Sequence, residues 1–224
     1  MHIGLIGGIG PVATDFYYRG LIAQAAARGR ALDLPVVHAD APTLLHHLAA
    51  NAQDAQVAIY LTLTKRLQAA GADCVVVTSI GGHFCVDAFA PVSPLPVIDL
   101  TEAVATHLHA QGLTRVGILG THTVMASGMY GKLSPVEVLC PDGAALEDVH
   151  HAYVTLATSG QSTQALQDVF FTAGRAMMAR GAEAILLGGT DINGAFDGPS
   201  NSADCGFPVV DCAGIHVDAI AERL

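Results

Sequence analysis

The chain carries an internal duplication, and this limits the folds open to it more than any other feature. Gly4-Leu5-Ile6-Gly7-Gly8, continuing through Ala13-Thr14 to Tyr17, aligns without a gap on Gly117-Ile118-Leu119-Gly120-Thr121, continuing through Ala126-Ser127 to Tyr130. Gly71-Ala72-Asp73-Cys74-Val75-Val76-Val77 matches Gly181-Ala182-Glu183-Ala184-Ile185-Leu186-Leu187, and Pro96-Val97-Ile98-Asp99 matches Pro208-Val209-Val210-Asp211, in the same order. Two complete copies do not make a solenoid, so the pattern describes a duplicated half-domain. Each copy places short Val/Ile/Leu runs between glycines, the signature of parallel strands buried on both faces.

The reading that follows is an α/β chain of two pseudo-symmetric parallel-sheet halves, residues 1–112 and 113–224, with the last helix, 213–224, packing back onto the first half. Strands are expected at 2–6, 34–38, 74–78 and 96–99, with helices at 12–27, 54–70 and 100–111 between and after them. The second half repeats this with strands at 115–119, 136–139, 184–188 and 208–211. Its helix 162–180 turns Leu166, Val169, Phe170, Ala173 and Met177 to one side. The glycine-rich residues 188–205 read as one long loop.

Composition narrows the function classes. Ten Lys and Arg against twenty Asp and Glu leave a formal charge of −10, with no basic stripe to neutralise phosphates, so nucleic acid is excluded as a partner. No apolar run approaches the length of a membrane span, although mean hydropathy is +0.45. The chain enters a strand at His2 with no basic, apolar or cleavage segment before it, which predicts a cytoplasmic protein. Five cysteines without CxxC spacing read as reduced thiols. Eleven histidines raise the question of a metal, but the adjacent pairs His46-His47 and His150-His151 diverge on a helix, so no metal site is expected.

Ligands of parallel α/β sheets bind outside the carboxyl ends of the strands. The loops there are 7–11, 79–83, 121–123 and 188–191, and the duplication pairs the first with the third and the second with the fourth. Gly8, Gly10 and Ala13 also satisfy a dinucleotide-binding G-x-G-x-x-A. Pro11 inside that motif, and Asp40 later than the usual acidic position, favour instead a tight turn whose amides hold a carboxylate.

On these residues the chain resembles the aspartate/glutamate racemase superfamily over essentially its whole length. The matching positions are Gly7-Gly8-Ile9-Gly10-Pro11 with Ala13-Thr14 and Tyr17-Tyr18, Gly71-Ala72-Asp73 and His83, Gly120-Thr121 with Ser127 and Tyr130, Gly181-Ala182-Glu183 with Gly188, and Asp211 with His216. The resemblance implies an active site in a cleft between the halves, no cofactor, and a homodimer. It also implies two thiols that move the proton α to a carboxylate, and both positions depart from the pattern. Ser79-Ile80-Gly81-Gly82-His83 stands for Cys-Asn-Thr-x-His, and Gly188-Gly189-Thr190-Asp191 stands for Gly-Cys-Thr-Glu.

A serine hydroxyl is a poor base unless a neighbour activates it, and glycine offers no side chain. The candidate catalytic residues are therefore Ser79, His83 and Asp191, with Gly8, Ile80, Gly81, Thr121, Thr123, Gly189 and Thr190 as candidate substrate-binding residues. Cys85 and Cys212 lie near these loops but are expected in the core. No Lys or Arg falls near the four loops, which argues against a second, distal carboxylate on the ligand. The expected activity is isomerisation at the carbon α to a carboxylate of a small acid or amino acid by a route other than two thiols. The alternatives are a related lyase or decarboxylase, or a ligand-binding homologue without turnover.

Overall fold

The computed structural model describes residues 2–8, 10–196 and 205–224, which divide into two compact units. One runs to Leu100 and includes His216–Leu224; the other is Thr101–Ile215. The helix after Asp99 groups with the second unit. The chain from His216 onward groups with the first.

In the first unit β1 (Ile3–Gly7) leads to α1 (Pro11–Ala27), β2 (Val36–His38), α2 (Ala41–Ala49), α3 (Gln53–Ala69) and β3 (Cys74–Val77), followed by a 3-10 turn (Gly81–Cys85) and the short α4 (Val86–Phe89). The strands are parallel in the order β2-β1-β3, with Ile3 opposite Cys74 and Leu5 opposite Val36. Every residue of β1 and β3 is buried, as a central parallel strand requires, whereas β2 sits at the edge and is largely exposed. The expected strand 96–99 is reduced to a single parallel bridge between Val75 and Val97. The Val75 amide bonds the Pro96 carbonyl and the Ile98 amide bonds the Val75 carbonyl, after which the chain turns into a helix at Leu100.

In the second unit α5 (Leu100–Ala110) precedes β4 (Arg115–Gly120), α6 (His122–Ala126), β5 (Glu137–Leu139), α7 (Ala144–Ser159), α8 (Gln164–Ala179), β6 (Ala184–Gly188), a 3-10 turn (Thr190–Ile192), α9 (Asn193–Phe196) and β7 (Val209–Asp211). The C-terminal helix Cys212–Ala221 follows. The order β5-β4-β6-β7 repeats that of the first sheet and adds a full fourth strand. Of the stripe read on α8, Phe170, Ala173 and Met177 are buried and Leu166 and Val169 half-buried. The first residues of the expected 188–205 loop are the 3-10 turn and α9; residues 197–204 lie outside the described residues.

The repeated Gly-Ala-acidic motif has one job in both units. Gly71 (φ 88°) and Gly181 (φ 96°) turn the chain just past the ends of α3 and α8 in a conformation that a side chain would strain. The acidic residue two positions on then accepts the first amides of the central strand: Asp73 Oδ2 from His2 at 2.8 Å, and Glu183 Oε2 from Thr114 at 2.6 Å and Arg115 at 2.9 Å. These amides hold the Glu183 carboxyl below its ordinary pKa. Among the described residues no helix is long and apolar enough to cross a membrane.

Candidate functional site

Strand order reverses between β1 and β3 in the first unit and between β4 and β6 in the second, so the carboxyl ends of these strands are where each sheet opens to a ligand. The loops after them carry every candidate residue.

After β1, Gly8 (φ 144°) brings the backbone so close to Ala39 that a Cβ would stand 2.5 Å from the Ala39 carbonyl oxygen. Asp40, which a dinucleotide site would place on a ribose, instead caps α2 by accepting from the Thr43 amide at 3.0 Å. This turn thus serves its own helix.

After β3, Thr78 donates its hydroxyl to the Ile6 carbonyl at 3.2 Å, tying the end of β3 to β1. Ser79 follows, only 8% exposed, and among the described residues its hydroxyl makes no hydrogen bond. Its carbonyl is occupied, accepting from the Gly82 amide at 3.2 Å and from His83 Nδ1 at 2.7 Å. Ile80 is buried and Gly81 half-buried in the turn so formed.

His83 is 2% exposed, and its imidazole meets the carbonyl of Ser79, not its hydroxyl. The Leu100 amide donates to Nε2 at 3.2 Å, which fixes Nδ1 as the protonated nitrogen. Asp99 Oδ1, 3.9 Å from Nε2, favours the charged ring, but burial outweighs it and lowers the pKa. His216 is held the same way. Tyr17 donates to Nδ1 at 2.8 Å and Nε2 donates to the Ile98 carbonyl at 2.9 Å, with the rings of His83 and His216 edge to face at 5.9 Å. Burial brings His216 down to about 3. Both histidines are neutral, and both use both nitrogens to hold the segment around Ile98 and Leu100.

In the second unit Thr121 accepts from the Val124 amide at 3.4 Å and so caps α6, with Thr123 half-buried one residue into that helix. After β6, Gly189 is extended (φ −176°), so its backbone does not demand glycine; its surroundings do. A Cβ there would lie 2.6 Å from the phenol oxygen of Tyr153 and 2.7 Å from Cζ. Tyr153 comes from α7, which packs against the turn Thr190–Ile192, and its hydroxyl donates to Asp191 Oδ2 at 3.0 Å. Burial pushes the Asp191 carboxyl above its ordinary range, and burial with the neighbouring carboxylate pushes the Tyr153 phenol well above its own.

Two acceptors here lack partners among the described residues. Asp191 Oδ1 and Asn193 Oδ1 are buried without a hydrogen bond there, a costly condition that marks a place where a ligand or water belongs. Asn193 spends its Nδ2 on Asp211 Oδ1 at 2.9 Å, and that oxygen also accepts from the Gly214 amide at 2.9 Å. Thr190 is buried beside them. The cysteines stand aside: Cys85 and Cys212 are fully buried, and burial pushes the Cys85 thiol up to about 12 and Cys212 higher still.

Sequence reasoning missed Tyr153 and Asn193. Gly189 held the clue to the first, since a glycine at a strand end leaves a volume that another residue must fill.

The model of one protein family, Asp/Glu/Hydantoin racemase, matches residues 6–220. Among solved structures, a candidate Asp/Glu racemase from Yersinia pestis is 25% identical with a TM-score of 0.85, covering 99% of this chain and 98% of that one. Glutamate racemase from Francisella tularensis in complex with D-glutamate shares the fold at 15% identity and a TM-score of 0.64, covering 100% of this chain and 81% of its own. A double mutant of arylmalonate decarboxylase in the liganded form does so at 20% identity and 0.61, covering 100% and 92%.

Proposed function

Because the chain belongs to the Asp/Glu/hydantoin racemase family, we propose that it is a cofactor-independent, cytoplasmic isomerase acting at the carbon α to a carboxylate, without the two thiols. One observation supports this above the others. At the carboxyl end of β6 a half-buried carboxylate, Asp191, is held above its ordinary pKa with one oxygen unpartnered among the described residues, as a base for a carbon acid should be. Ser79, a buried residue whose hydroxyl makes no hydrogen bond among the described residues, is the candidate at the corresponding end of β3 on the first unit. Gly8, Ile80, Gly81, Thr121, Thr123, Gly189 and Thr190 would then line the substrate. His83 holds the Ser79 loop in shape.

The substrate class is a monocarboxylate, an amino acid or small acid with an uncharged substituent. Binding a distal carboxylate favours a charge-assisted partner, but Arg19, within α1, is paired with Asp15 on an exposed face at 2.7 Å, and no other Lys or Arg falls in the strand-end loops. A homodimer is part of the same reading, with the exposed Val12, Tyr18 and Ile22 of α1 as apolar surface to cover.

The test is proton exchange in heavy water. D- and L-alanine, serine, aspartate, glutamate and lactate are incubated with the protein and the α-hydrogen signal is followed by NMR. Enzyme-dependent loss of signal for the uncharged amino acids is expected; no loss for any compound would sink the reading, and binding without exchange would point to a ligand-binding homologue. The likeness to arylmalonate decarboxylase favours a second reading, in which loss of CO2 generates the same carbanion. Carbon dioxide released from a 2-substituted malonate, with no exchange of the amino acids, would select it.

A further inference from the structure

We propose that Tyr153 is the catalytic residue of the second strand end, a hydroxyl that relays a proton between the substrate carbon and Asp191. The inference rests on the carbon-acid reading above and supplies the group that performs it.

The argument begins with space. A side chain at Gly189 would project from the carboxyl end of β6, where its sheet opens, and its first atom would stand 2.6 Å from the Tyr153 hydroxyl oxygen. The phenol therefore presents its oxygen where a residue on the β6 loop would present its own reactive atom. Its ring is anchored in α7, and the residue is half-buried, so the oxygen is held in a fixed place. The neighbours offer no substitute. Asn193 is not titratable and its Nδ2 is engaged, Thr190 has only an aliphatic hydroxyl, and the Cys212 thiol is fully buried.

The hydrogen bond sets the direction of the chemistry. Tyr153 already donates to Asp191 Oδ2 at 3.0 Å, so its proton has somewhere to go. As the Cα–H bond breaks, that proton forms a new O–H bond on the phenol oxygen, the phenol's original proton passes to Asp191 Oδ2, and the electron pair of the C–H bond stays on the substrate as an enolate. The reverse transfer delivers a proton to the carbon. No phenolate forms, so the high pKa of Tyr153 is no obstacle, and the working base strength is that of Asp191. The unpartnered Oδ1 contributes here, because a carboxylate with fewer hydrogen bonds is more basic.

Tyr153→Phe keeps the ring over Gly189 and removes only the relay. With D- and L-alanine and serine as probes, the expected result is a fall in α-proton exchange of roughly 100-fold or more. Asp191→Asn should fall similarly, and the double variant should lose little more, because the two act as one unit. Exchange by Tyr153→Phe within a few-fold of wild type overturns the relay and leaves the carbon-acid reading standing; absence of exchange by the wild-type protein overturns both. Should Tyr153→Phe fail to fold, 3-fluorotyrosine at position 153 decides. It is nearly isosteric with a more acidic hydroxyl, so the relay predicts a changed exchange rate, and an unchanged rate refutes it.

Discussion

The Tyr153 phenol oxygen lies 2.6 Å from the point a Cβ on Gly189 would occupy, so one residue is glycine because the other is tyrosine. Gly189 is extended and free of backbone strain, which leaves the aromatic ring as the physical reason for the absent side chain. A cysteine cannot simply be placed there. The ring and the thiol would compete for one volume.

Gly189→Cys should accordingly destabilise the protein by about 1–3 kcal/mol, the usual cost of overfilling a packed site. Tyr153→Ala alone should also destabilise, by leaving a cavity. Combined, the two should cost less than their sum by about 1 kcal/mol or more, since each makes room for the other. Urea unfolding of the four proteins measures this coupling. Strict additivity would mean that ring and glycine do not share the space.

Much of the fold was legible because the duplication repeats residues whose roles are local. Gly71 and Gly181 end helices, Asp73 and Glu183 hold strand starts, and the apolar runs fill the sheets, all within a few residues of their effect. Helix α2 was not among the expected helices, although His46-His47 was read on a helix; Asp40 caps it and Pro42 is tolerated in its first turn. The strand expected at 96–99 is a single bridge, although the matching segment after Pro208 forms the full strand β7. The site was legible only in its loops. Ser79 follows β3, and Gly189 and Asp191 follow β6; Tyr153 reaches Gly189 and Asp191 from α7 by a tertiary contact that no spacing encodes. The same holds for His83, whose Nε2 partner is the backbone of Leu100.

His83 bridges the Ser79 carbonyl and the Leu100 amide, so His83→Ala should cost about 2–4 kcal/mol, combining a cavity with a stranded Leu100 amide and the loss of one bond to the Ser79 carbonyl. Any loss of turnover should track the loss of fold, as read by circular dichroism and urea titration beside the exchange assay. A variant that folds with wild-type stability yet is inactive would assign His83 a chemical role.

Asp191 should trade stability for function. Its folded pKa is raised, so the native state holds this proton more tightly than the unfolded chain, and stability from this group is lost as pH rises through the folded pKa. Asp191→Asn, which removes the buried charge, should therefore gain on wild type between pH 4 and pH 8 while exchange collapses. Thermal unfolding at the two pH values checks the sign. A variant that loses ground as pH rises would show that the carboxylate is stabilising where it sits.

His216 gives the opposite sign. Its folded value of about 3 lies far below the ordinary 6.5, so its contribution is fully present above pH 6.5 and is lost as pH falls toward 3, where the unfolded chain takes up a proton that the native ring refuses. Between pH 7 and pH 5 this one group should remove about 2 kcal/mol of stability. His83, lowered for the same reason, acts in the same direction. His216→Gln should be less stable than wild type at pH 7, having lost the bonds to Tyr17 and Ile98, yet its stability should decline less steeply on acidification. Urea midpoints for both proteins at pH 7, 6 and 5 separate the two effects. Parallel declines would mean that His216 is charged in the folded protein, and that the Tyr17 hydroxyl is not donating to it.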